Sequence, residues 1–246
     1  MRAALAPTTI YWFSRLGSTN TRAAAMARRD ELSAPSIVLT GWQVAGRGRG
    51  TNTWWSSAGS LTATFAFRAD LTRPAHHLPL LAGVIIRRTV AQVTGVTDVK
   101  LKWPNDLLHN GRKVCGMLCE RVNGYDLIGV GLNVNLNVSA APPLLRRRIT
   151  SLSEITGRQT DQSQMLISLA TAMRIGLSES PSLETVLSEY NQHHLLAGRQ
   201  VSVSNSDHQQ LSGFCIGLDP EGRLILKSGS KLHHIIAGNV EAIGAF

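Results

Sequence analysis

The run Gln43-Val44-Ala45-Gly46-Arg47-Gly48-Arg49-Gly50, followed shortly by Trp54, is where this chain could do chemistry. Glycines at alternate positions let the backbone approach a ligand and turn its N–H groups inward, and each arginine offers a planar fork of donors that never loses its charge. A loop of this kind holds an anion, a carboxylate or a phosphate. The same string also reads as a flexible basic loop of the sort found in RNA-binding tails, and the loop alone leaves both readings open.

Other strings surround it. Ser18-Thr19-Asn20 lies upstream; Lys102-Trp103-Pro104-Asn105-Asp106, Gly111-Arg112-Lys113-Val114-Cys115-Gly116-Met117-Leu118-Cys119-Glu120 and Gly129-Val130-Gly131-Leu132-Asn133-Val134-Asn135 lie downstream. In these motifs and their order the chain resembles the biotin protein ligases, which activate biotin with ATP and attach it to a lysine of a carrier domain. The resemblance covers nearly the whole chain and is to the monofunctional type, without an N-terminal DNA-binding domain, because the first core strand is expected near residue 8. One departure is Gly50-Thr51-Asn52-Thr53, where many members carry further basic residues.

The resemblance implies an α+β fold. A central mixed β-sheet with helices on its faces, the class II synthetase-like biotin/lipoate ligase fold, would occupy residues 1–195, and a C-terminal SH3-like small β-barrel residues 196–246. It also implies roles. Lys113 would contact both the biotin carboxylate and the phosphate, while Arg47 and Arg49, with the N–H groups around Gly46 and Gly48, would serve the adenylate and pyrophosphate and Trp54 would bracket the loop. Ser18, Thr19, Asn20 and Gln43 would hydrogen-bond the biotin head group, and Gly116 would let its apolar chain lie on the sheet. Lys102 would face the phosphates, and Asn105, Asp106, Gly129 and Asn133 would belong to the ATP and Mg2+ side, with Asn105 and Asn133 as metal ligands. Asp106 would either help hold the metal or take the proton of the attacking lysine.

Biotin's carboxylate is already ionised at neutral pH, so anhydride formation needs positioning and charge stabilisation rather than a base. Read on spacing alone, Lys113 is an ordinary lysine after a hairpin turn and Ser18 a helix cap. Strict alternation places Lys113 and Gly116 on opposite strand faces, so either a bulge intervenes or one of them acts through its backbone.

The elements that must position these residues follow from pattern. Strands are expected over Ile10–Ser14, Ser36–Gln43 and Leu61–Phe67, with a helix capped by Ser18 and running to about Arg29 and another over His76–Thr94. Asn110-Gly111 and Asn123-Gly124 are type I′ turn signals, predicting a meander of Asp106–His109, Lys113–Arg121 and Tyr125–Asn133. Leu166, Leu169, Met173 and Leu177 repeat at helical spacing, and a further helix begins near Pro181 and ends near His193. After Gly198, short strands at Gln200–Val203, Leu211–Gly217, Arg223–Leu226 and Leu232–Ile236 suit a small barrel. All the site motifs precede residue 134, so deletion of 197–246 is expected to leave a soluble central domain.

Composition sets bounds. The 246 residues carry 25 basic and 16 acidic side chains, net +9, which favours an anionic partner without choosing among nucleic acid, ATP and an acidic carrier. Three cysteines with no CxxC point to a reducing compartment, and Cys115 and Cys119, four apart on one strand, read as core. With no membrane-length apolar window the protein is expected to be cytoplasmic, acting on the biotin carboxyl carrier protein or domain of a biotin-dependent carboxylase, with no DNA or membrane partner; a homodimer is compatible with the reading. The rivals are a lipoate or octanoate ligase of the same fold and a basic nucleic-acid-binding protein, the latter opposed by the lack of aromatics among the basic segments. The arginine loop, with no acidic partner nearby in sequence, is expected to be mobile until ligand arrives.

Overall fold

The computed structural model describes residues 5–179, 181–204 and 210–243. The strands of this part of the chain are β1 (Thr9–Leu16), β2 (Ser36–Gln43), β3 (Gly46–Arg47), β4 (Thr53–Trp54), β5 (Ser60–Arg68), β6 (Lys100–Lys102), β7 (Asp106–His109), β8 (Arg112–Val122) and β9 (Tyr125–Asn133). Seven of these build one sheet in the order β1-β2-β5-β9-β8-β7-β6, with only β1 and β2 parallel. The meander β7–β8–β9 turns where expected: Asn110 and Gly111 have φ of 47° and 73°, and Asn123 and Gly124 47° and 75°, the left-handed pairs a type I′ turn requires. β6 has too few residues to leave a pattern; it is held by β7 and by backbone bonds from Leu101 to His193 and Leu195.

Period two divides the sheet into two faces. Val38, Ala66 and Leu127 turn toward Ala23, Ala24 and Ala27 of α1 (Thr19–Arg28), whose small side chains let the helix lie close. Ile37, Leu39, Ala63, Phe65, Ile128 and Val130 turn the other way, into the main core. There they join α2 (Leu78–Thr94), ended by Gly95 at φ 79°. After the short α3 (Pro143–Arg146) and α4 (Leu152–Thr156), the same core takes in α5 (Gln162–Ser178), capped by Asp161, and α6 (Leu183–Gln192), capped by Ser182. Cys115 is buried there and Cys119 packs against it, as their spacing implied.

The second sheet runs β13-β12-β11-β10-β14, with β10 (Gln200–Ser204), β11 (Gln210–Leu218), β12 (Leu224–Ser228), β13 (Lys231–Ile235) and β14 (Asn239–Ala242) all antiparallel. β14 went unpredicted because four residues with one buried side chain carry no readable alternation. The sheet is the small SH3-like barrel, and its interior residues Val201, Cys215, Leu224 and Val240 belong to the main core cluster. Its Asp219–Gly222 turn also docks on the first domain: His77 meets the Glu221 carbonyl at 2.9 Å, and the buried Trp103 indole donates to the Gly222 carbonyl at 3.3 Å. Deleting 197–246 would therefore uncover apolar surface and strip Trp103 of its acceptor, a cost that the position of the site motifs before residue 134 did not reveal.

His194 lies in the segment beside β6, 7% exposed, and neither ring nitrogen has a hydrogen-bond partner among the described residues. Burial pushes its pKa from 6.5 down to about 4. The unfolded chain therefore binds the extra proton, so the fold keeps its full stability above about pH 6.5 and loses it as pH falls toward 4, by up to about 3 kcal/mol. Thermal unfolding scans over that range should show a shallower acid loss for His194→Phe than for the parent; parallel curves would acquit His194.

Candidate active site

Cross-strand register assembles the site. Thr40 pairs with Thr62, Thr62 with Gly131, Gly131 with Gly116, Gly116 with Asp106, and Asp106 with Lys102, a single row across six strands. The adjoining row holds Val38, Thr64, Gly129 and Leu118. By alternation both rows lie on the α1 face, and the N-terminus of α1 opens onto them. Gly116, Gly129 and Gly131 make a floor without side chains. A Cβ on Gly131 would overlap the Trp54 indole, one on Gly129 would overlap the Asn20 side chain, and one on Gly116 would stand 2.8 Å from Lys113 Cε. Three of the expected site residues thus rest on bare backbone, which only glycine permits.

A bulge delivers Lys113. Leu107 is opposite Cys115 but Leu108 is opposite Lys113, so β8 carries one extra residue there. Of the two routes left open by strict alternation the bulge is the one used. It brings Lys113 Nζ to the Gly116 face, 2.7 Å from Asp106 Oδ1 and 5.4 Å from the Trp54 ring centroid. Lys113 is anchored from the other side by Arg148 and Thr150, through N–H donation to the Arg148 carbonyl (2.8 Å) and acceptance from the Thr150 N–H (3.0 Å).

Beside the floor stands an uncharged polar cluster. Ser18 caps α1 by accepting from the Thr21 N–H, Gln43 Oε1 accepts from the Thr19 N–H at 2.9 Å, and the Thr64 hydroxyl lies 2.9 Å from Thr19 Oγ1 and 2.6 Å from Asn20 Oδ1. Ser18, Thr19, Asn20 and Gln43 are all buried. Their mutual bonds hold each group's orientation, and none of the four carries a formal charge.

The arginine loop is a hairpin in which Gly46 pairs with Trp54 and Arg47 with Thr53, with Gly50 at φ 58° near its tip. Arg47 is not without an acidic partner, as its surroundings in sequence suggested: Glu120 Oε1 lies 3.0 Å from its guanidinium. The acid comes from β8, beyond the reach of a local reading. Arg49 donates to the Gly238 carbonyl at 3.3 Å and its pKa is lowered by burial. Glu120 is the residue that sequence reasoning passed over, although 116, 118 and 120 share one face of β8 and period two could have found it.

On the far side, Asn105 is fastened to β8: its side-chain N–H donates to the Met117 carbonyl and its own carbonyl accepts from the Met117 N–H at 2.9 Å. Its amide thus holds the loop in place. Burial lowers the Lys102 pKa, opposed by the nearby Asp106. Asn133 donates to the Thr150 carbonyl at 3.0 Å, while its buried Oδ1 has no hydrogen-bond partner among the described residues. That spare oxygen fits a cation or a donor. No cluster of three or more His, Cys, Asp or Glu able to hold a metal occurs among the described residues, so any metal here would depend on one or two such oxygens with water and phosphate, a set that suits Mg2+. Arg47, Arg49, Lys102 and Lys113 face Asp106 and Glu120, which leaves the site an excess of positive charge for an anion.

Residues 12–137 match the biotin/lipoate A/B protein ligase family, and residues 197–241 match the biotin protein ligase C-terminal domain. The bifunctional ligase/repressor BirA of Bacillus subtilis is 28% identical over 92% of this chain and 71% of its own length. A biotin--[acetyl-CoA-carboxylase] ligase of Mycobacterium tuberculosis is 28% identical over 92% of this chain and 86% of its own. In fold the chain is similar to a biotin protein ligase from Aquifex aeolicus solved with biotin and ATP, with a TM-score of 0.86 at 23% identity over 96% of this chain and 99% of that one.

The glycine floor makes a test that needs no ligand. Gly129→Ala should force Asn20 out of its bonds to Thr64 and Leu118 and destabilise the fold by roughly 1–3 kcal/mol, as overpacking does. Denaturant unfolding measures it, and a variant as stable as the parent would mean that Asn20 does not rest on this strand.

Proposed function

Since this chain belongs to the biotin/lipoate A/B protein ligase family, we propose that the site just described makes biotinyl-5′-AMP from biotin and ATP and passes the biotin to a lysine of a carrier domain. The protein is a biotin protein ligase. The observation that carries the assignment of roles is the cross-strand row: a glycine floor with neutral hydrogen-bonding groups at one end and paired lysines with Asp106 at the other.

A ureido ring offers one carbonyl acceptor and two N–H donors, which Ser18, Thr19, Asn20 and Gln43 can answer; the dithiolane of lipoate offers nothing comparable, so the cluster favours biotin. Trp54 and Lys113 themselves cover Gly131 and Gly116, which corrects the expectation that the apolar chain lies directly on the sheet at Gly116; the chain would run against the Trp54 indole instead, bringing the carboxylate to Lys113. There a carboxylate oxygen attacks the α-phosphorus, the bond to pyrophosphate breaks, and Lys113, Arg47, Arg49 and Lys102 hold the charge that two anions bring together. Magnesium bound with ATP would neutralise phosphate charge, and the side-chain oxygens of Asn105 and Asn133 would be its protein contacts.

In the second step the amine of the acceptor lysine attacks the carbonyl, AMP leaves, and the amine gives up a proton. Asp106, ion-paired with Lys113, would take it. The acceptor we infer is the carboxyl carrier domain of a biotin-dependent carboxylase, from the names of the relatives, and the segment from residue 196 would close over ATP and help dock it.

Lys113→Ala removes a charge that stands on the floor without opening a core cavity. Adenylate formation, followed by mass, should fall on the order of a hundredfold while the unfolding midpoint changes little. A parental rate would remove Lys113 from the chemistry.

A further inference from the structure

Glu120 has no part in the roles above, yet it stands where two of the site's halves meet. One carboxylate oxygen lies 3.0 Å from the Arg47 guanidinium, and the other accepts from Asn20 Nδ2 at 2.9 Å. A second Arg47 nitrogen reaches Thr21 Oγ1 at 3.5 Å, on the same first turn of α1. Asn20 is in turn held by the Leu118 carbonyl and Thr64. A single carboxylate on the floor strand therefore ties the hairpin of the arginine loop to the helix that carries the neutral cluster.

We propose that Glu120 is a positioning residue, a releasable latch that holds the arginine loop down over the site and keeps Arg47 and Asn20 in binding geometry before ligand arrives. Exposure sets its strength. The Arg47 and Glu120 side chains are 46% and 27% exposed, so the pair biases the loop by about fivefold rather than locking it. That is enough to favour the closed hairpin and weak enough to yield when an incoming carboxylate or phosphate engages Arg47. The link to Asn20 makes the latch act on ligand affinity as well as on the loop. What is bound rests on the ligase reading; the latch itself rests on the Arg47–Glu120–Asn20 geometry.

Glu120→Gln keeps the shape and an acceptor for Asn20 but removes the charge from Arg47; Glu120→Asp keeps the charge on a shorter arm. In ligand-free protein, trypsin cleavage after Arg47 should be about fivefold faster in Glu120→Gln than in the parent, and that ratio should shrink toward one as salt is raised, because screening weakens the parent's latch and has nothing to weaken in the variant. Glu120→Asp should restore part of the protection. In the biotin-dependent reaction Glu120→Gln should raise the KM for biotin by a similar factor with kcat within about twofold of the parent. Equal cleavage and equal biotin KM in parent and Glu120→Gln would overturn the proposal. Should the parent make no biotinyl-adenylate at all, the ligase reading fails, while the cleavage comparison still decides the latch.

Discussion

Everything at this site depends on the absence of side chains at three neighbouring positions of one sheet. Gly116 and Gly131 face each other across β8 and β9, and Gly129 lies two residues along. Replacing any of them with a residue bearing a Cβ would put that atom into Lys113, Trp54 or Asn20. A sheet face ordinarily stands one side chain away from whatever covers it, and here three functional groups instead lie against the peptide plane. The site is thereby sunk into the sheet, where alternation and register set positions more tightly than a loop could.

Charge is then distributed around that floor by two carboxylates. Asp106 meets Lys113 and Glu120 meets Arg47, one at each side of the glycine row. Each holds a flexible cation in place without neutralising the whole group, since Lys102 and Arg49 add positive charge that burial makes less comfortable and an anion would relieve. The second sheet belongs to the same arrangement. It accepts from Arg49 at Gly238 and from Trp103 at Gly222, so two of the loops that carry site residues are fastened to it.

The parts of the fold that were legible in sequence were those with strong local signals: the Asn-Gly turns, the Ser18 cap, the largely apolar run of β2, the alternation of residue types in β5 and the helical stripe of α5. β6 and β14 were not, because three or four residues held by pairing leave no period to read. At the site the motifs named the residues, but their relations are long-range. The β8 bulge that turns Lys113 toward Gly116 comes from a register shift against β7, and the Glu120 partner of Arg47 lies on a strand far along the chain. Spacing could pose the question of the bulge, and only pairing could answer it. Nothing local showed that the two sheets share a core, since alternation within short strands does not say what their inner faces meet.

The central claim is that the neutral cluster and the lysines at opposite ends of the glycine row bind the two ends of one molecule, biotin. It is tested most directly by incubating the protein with ATP and magnesium and either biotin or lipoate, and detecting the acyl-adenylate by mass. Biotinyl-5′-AMP with biotin and little or no lipoyl-AMP with lipoate is the result expected from a cluster matched to a ureido ring. Lipoyl-AMP in preference to biotinyl-5′-AMP, or neither product, would contradict it.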